Sequence, residues 1–60
     1  MTGTQVAARL KEAGWVLVRV HGSHHVFGKD GRICPVPVHG KSDIPAGTLA
    51  SIRRITGVRL

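Results

Sequence analysis

Acidic residues are scarce in this chain: three Asp and Glu stand against nine Lys and Arg, a formal net charge of +6 over 60 residues. That scarcity excludes nuclease chemistries that gather several carboxylates around a pair of metal ions. It also removes the oxygen ligands that hard divalent cations prefer. Cysteine is nearly absent too. Cys34 stands alone, so there is no internal disulfide and no thiolate cluster for zinc, and the usual staples of very small secreted domains are missing. The expected location is the cytoplasm. No apolar run approaches the ~20 residues a membrane helix needs, and Met1-Thr2-Gly3-Thr4 lacks the charged and apolar regions of a signal peptide. No membrane partner is expected. Repeats, linkers and low-complexity segments are also missing, and the length leaves room for one domain over residues 1–60.

What is there suffices for a core. Hydrophobic residues make up 42% of the chain and the mean hydropathy is +0.06, above the range of disordered sequences. The margin is thin, because a domain this small buries only about 60% of its unfolded surface. The charge balance points to a polyanion or an acidic protein as partner. The cations, among them Arg9, Lys29, Lys41 and Arg53, are scattered along the chain, so only folding can assemble a patch.

Hydrophobic spacing predicts a helix over 2–13. Thr2 with Gln5 three residues on forms a capping box, with Thr4 as a competing cap; Val6, Leu10 and Ala13 form the buried stripe, and Gly14 stands where a left-handed residue is wanted. From Trp15 the run Trp-Val-Leu-Val-Arg-Val predicts a strand to about His21. Gly22-Ser23 separates it from a second strand beginning His24-His25-Val26-Phe27. The Asp30-Gly31 turn leads to a third over Ile33–Val38. Pro35 and Pro37, two apart, leave both missing donors on one side of that strand, which makes it an edge. A final helix follows, capped by Asp43 or Thr48, with Leu49, Ile52 and Ile55 or Thr56 buried and Gly57 as its stop. The reading is an α+β fold, α-β-β-β-α, with a three-stranded antiparallel sheet, both helices on one face and the other face open.

Four histidines, at 21, 24, 25 and 39, raise the question of a metal. Adjacent strand residues point to opposite faces, so His24 and His25 cannot readily share an ion, and neither a metal nor any other cofactor is expected. A metal-independent ribonuclease remains open, because RNA carries its own nucleophile in the 2′-hydroxyl. The protein need only move a proton and hold the phosphate, and a histidine suits the proton step. Phe27 is the largest apolar side chain of its strand and marks the core face, so His25 shares that face and His24 points outward. The Ser23 hydroxyl, just before it, could orient the imidazole or contact a phosphate. The bland alternative is an ordinary exposed turn histidine. Trp15 and Cys34 read as core residues, the latter inert.

Gly14-Trp15, Val18-Arg19, Gly22-Ser23-His24-His25 with Phe27, Val36-Pro37-Val38-His39-Gly40, Asp43, and Pro45 with Gly47-Thr48-Leu49-Ala50-Ser51-Ile52 together resemble the HicA (YcfA-like) toxins of bacterial type II toxin–antitoxin systems. The resemblance runs over essentially the whole chain. It implies a double-stranded-RNA-binding-domain-like fold and an endoribonuclease acting on mRNA, neutralised by a HicB-type antitoxin. Operator DNA would be contacted only through the antitoxin complex. It also implies that the catalytic histidine lies in the Gly-Ser-His-His segment, at His24 with His25 as the alternate. Gly22 and Ser23 then shape the site, and Lys29, Lys41 and Arg53 are candidate RNA contacts. A non-catalytic RNA-binding module of the same fold is the alternative.

Overall fold

The structure, a computed structural model, describes all 60 residues. Five elements follow in the expected order: α1 (Gly3–Glu12), β1 (Val16–His21), β2 (His24–Lys29), β3 (Arg32–Pro37) and α2 (Ala46–Thr56). The strands form one antiparallel sheet in the order β1-β2-β3. Neither helix is long and apolar enough to cross a membrane.

Local chemistry sets the boundaries. At the start of α1 the Thr2 hydroxyl accepts the Gln5 N–H, and the Gln5 side-chain oxygen accepts the Thr2 N–H at 2.9 Å, so Thr2 rather than Thr4 is the cap. Both hairpins have two-residue turns, since His21 pairs His24 and Lys29 pairs Arg32. Asp30 and Gly31 both have positive φ, 50° and 78°. Positive φ at both central positions gives the turn whose twist matches the strands it joins. The Val38 N–H donates to the Ser23 carbonyl at 2.7 Å. N–H groups alternate along a strand, so those of Val36 and Cys34 also face β2 and the nitrogens of Pro35 and Pro37 face the free edge.

The start of α2 differs from expectation. Neither Asp43 nor Thr48 caps it; Pro45 occupies the cap position with no side-chain hydrogen bond. Asp43 is held elsewhere, in a β-bridge with Thr2, while the Ile44 N–H donates to the Met1 carbonyl at 2.7 Å. The strap before α2 is thereby tied to the start of α1. The far ends of both helices are tied by cations flanking the β2–β3 turn. Lys29 Nζ donates to the Ala13 carbonyl at 2.7 Å and Arg32 Nη1 to the Ile55 carbonyl at 3.1 Å, where the helix dipoles are negative.

Pleating sorts the sheet into two faces. Phe27 lies opposite Cys34 and His25 opposite Val36. Phe27, Cys34 and Val36 are fully buried against Val6 and Leu10 of α1 and Ile52 of α2, with Trp15 and Ile44 closing the core. Ala13 is only partly buried and Ala7 completes the α1 stripe; Leu49 and Ile55 flank Ile52 as partly buried neighbours. Both helices therefore cover one face. On the other, Val16 and Ile33 are each 61% exposed and Val18 59%.

Two outcomes follow. Gly3 is buried where α1 crosses the end of β3, and a methyl there would land on the Pro37 carbonyl oxygen, within 2.8 Å of the Val38 Cα. Gly3→Ala is expected to cost about 1–3 kcal/mol, a fall in Tm on the order of 10 °C, whereas Gly47→Ala, with open space at its Cβ, leaves Tm unchanged or raised; thermal melting followed by circular dichroism measures both. Cys34 is fully buried, and burial pushes its thiol above the ordinary value. Less thiolate is then present at neutral pH, so alkylation should be slow in the native protein and fast in denaturant, as mass spectrometry would record.

Candidate functional site

His24 opens β2, and Phe27 decides where it points. With Phe27 and His25 on the helix-covered face, His24 and Val26 belong to the open one, and the imidazole of His24 is exposed. Across the sheet His24 faces His21 on β1 and Pro37 on β3. It is the shared wall of two hollows. One, of about 450 Å³, is lined by Arg19, His21, His24, Val26 and Pro35. The other, of about 480 Å³, is lined by His24, Pro35, Pro37, His39, Pro45 and Thr48. No carboxylate lines either.

Arg19 and His21 reach this face because β1 contains a bulge. The register slips between Leu17 and Arg19, so Arg19 pairs Val26 and His21 pairs His24. In an unbroken strand, Arg19 would follow Trp15 and Leu17 onto the core side. The extra residue, Val18, lies over Gly28 on the open face, 3.3 Å from where a Cβ would stand. The bulge turns a guanidinium away from the core and toward His24, a use bulges commonly have.

The second hollow is bordered by the first turn of α2. That turn carries no acidic residue and no side-chain cap, so its N–H groups leave a partial positive charge at the hollow's edge. The Ser23 hydroxyl lies 3.3 Å from Nε2 of His39. Its imidazole partner in the structure is therefore His39 rather than His24.

The other residues singled out from the sequence are dispersed. Gly22 and Ser23 form the turn before His24. His25 is half-buried on the opposite face, between Val20 and Val36 in register. Lys29 lies five residues along β2, roughly 17 Å from His24 at ~3.3 Å per residue, with its ammonium on Ala13. Lys41 is exposed in the loop after β3, and Arg53 is exposed in the second half of α2. Trp15 is buried and stacks on nothing from solution. Glu12, Asp30 and Asp43 sit on α1, in the β2–β3 turn and before α2, and nowhere do three His, Cys, Asp or Glu side chains converge.

Arg19, His21, His39 and Thr48 were not among the residues picked from sequence. For Arg19 a signal existed: it is in phase with Trp15 and Leu17, so either a charge entered the core or the strand slipped. His39 and Thr48 stand among the residues that carry the family resemblance, but nothing in their spacing placed them beside His24, which they meet only through the packing of the post-β3 loop and α2.

A family model described as the HicA toxin of bacterial toxin–antitoxin systems matches residues 3–58. The chain belongs to the HicA toxin family. It is accordingly the toxin of a toxin–antitoxin system, with an antitoxin as its partner. The match includes every residue of both hollows. Comparison with curated proteins gave no match. In this HicA-family chain the Gly22-Ser23-His24-His25 segment divides its two imidazoles between the sheet's faces, and only that of His24 opens on both hollows.

Proposed function

We infer that this toxin is an endoribonuclease that cleaves mRNA, with His24 as the acid/base group. The observation carrying this reading is the position of His24: an exposed imidazole forming the common wall of two carboxylate-free hollows, with Arg19 on one side and the bare first turn of α2 on the other. A phosphodiester bound there meets a guanidinium and helix N–H groups, which favour an anion and the charge that builds on phosphorus during reaction. RNA supplies the 2′-hydroxyl as nucleophile. The protein supplies position and proton transfer, so a metal is not required for this reaction. Gly22 and Ser23 shape the rim. Lys29, Lys41 and Arg53 are proposed as contacts to phosphates farther along the RNA, not to the reacting one.

The antitoxin, proposed to be of the HicB type, seats on the same open face. Toward the other end of β2 from His24 the surface becomes apolar, with Val16, Val18 and Ile33 exposed around Gly28, and Lys29, Asp30 and Arg32 at its rim. An exposed apolar patch on a protein of net charge +6 matches an apolar surface on an acidic partner. A partner that extends from there across Val26 to His24 would make binding and inhibition one event.

His24→Ala should lower cleavage of an unstructured RNA oligonucleotide at least about 100-fold with an unchanged Tm, because the side chain is exposed; a folded variant that cuts as fast as the parent removes His24 from the role. RNA binding without cleavage by the parent protein would favour the non-catalytic module. Ile33→Glu should weaken antitoxin binding roughly tenfold or more while the free toxin cleaves RNA within about threefold of the parent rate; titration calorimetry and a cleavage assay on one preparation test this. Association should also slow as salt is raised.

A further inference from the structure

In the displacement inferred above, the attacking 2′ oxygen and the departing 5′ oxygen lie on opposite sides of phosphorus. One needs to lose a proton and the other to gain one. A single imidazole on one side is poorly placed for both, so the geometry asks for a second titratable group across the hollow.

The hollow between β3 and α2 contains one. His24 and His39 both line it, with Pro35, Pro37, Pro45 and Thr48 forming the rest of its wall. His39 is exposed and hydrogen-bonded through Nε2 to the Ser23 hydroxyl at 3.3 Å. Three prolines stiffen the surroundings, and Pro37 lies two residues before His39. The titratable and charged side chains lining the two hollows are His21, His24, His39 and Arg19. His21 lies in the other hollow, beside Arg19, so His39 is the titratable group facing His24 across this one.

We propose that His39 is the second acid/base residue of the reaction, paired with His24 and positioned by Ser23. The proposal rests on the reading of His24 as the first. One imidazole, neutral, takes the proton of the 2′-hydroxyl as its oxygen bonds to phosphorus. The bond from phosphorus to the 5′ oxygen breaks, and the other imidazole, protonated, gives its proton to that oxygen. The products are a 2′,3′-cyclic phosphate and a 5′-hydroxyl. One proton is taken and one given, so the pair ends with its protonation states exchanged and solvent restores them. Ser23 acts through His39: a hydroxyl both donates and accepts, so it holds the ring in either protonation state.

The test uses the full chain and an RNA oligonucleotide with a single cleavable linkage, comparing kcat/KM against pH. The parent should show a two-limbed profile. His39→Ala and His39→Gln should both lower kcat/KM about 100-fold or more and remove one limb, with Tm unchanged. Ser23→Ala should lower the rate about tenfold, and Ser23→Thr, which keeps the hydroxyl, should restore it. Recovery of activity by His39→Gln would mean a hydrogen-bonding role only and overturn the proposal. So would a two-limbed profile in His39→Ala at a rate within a few-fold of the parent, or loss of the limb in His21→Ala instead. If His24→Ala is inactive while His39→Ala is not, the pair fails and His24 stands; if neither variant slows cleavage, both histidine assignments fail; if the parent itself does not cleave, the ribonuclease reading fails.

Discussion

Burial of one ring sets the phase of the sheet. Phe27 is fully enclosed opposite Cys34, under α1 and α2, and a strand alternates faces with period two. Sliding β2 by one residue would expose Phe27 and drive the glycine beside it into the core. That is too costly where one face is buried and the other is not. Once Phe27 is inside, Val36 and Cys34 are inside opposite it, and His24 has nowhere to point except outward. The chemistry of the open face thus descends from a hydrophobic requirement on the closed one.

β1 shows the same pressure meeting a conflict. Trp15 is buried and Leu17 follows it in phase, but the next residue in that phase is Arg19. The strand bulges at Val18, so the covered-face position opposite His25 goes to Val20, itself 53% exposed, and Arg19 emerges on the open face, where it lines the hollow beside His24. His21 is carried with it. The site owes two of the five residues lining its first hollow to this slip. The strand that bears the bulge is also the least covered: every residue of β1 is exposed, and a bulged, arginine-bearing edge discourages indiscriminate pairing with other strands.

The open face gathers the histidines at one end and uncovered aliphatic side chains at the other. The proposed antitoxin seat is the aliphatic end, so the proposed inhibition calls for a partner that reaches from there to His24. Lys29, a candidate RNA contact from the sequence, and Arg32 hold the C-terminal ends of the two helices. They leave the region around His24 to Arg19 and the helix N–H groups.

The order of elements, the caps at Thr2 and Gly57, the Asp30-Gly31 turn, the edge placement of β3 and the outward direction of His24 were all legible in the chain. Each rests on contacts between near neighbours or on the period of the hydrophobic pattern. The pairing of Ser23 with His39, the entry of Thr48 and Pro45 into the second hollow, the tying of Asp43 to Thr2 and the uncapped start of α2 were not legible, because they join segments that only the packing of helices on the sheet brings together. Arg19 stands between the two. Its phase with Trp15 and Leu17 was written in the sequence, but the slip that turns it to the open face is decided by how β1 pairs with β2, a register that no local pattern fixes.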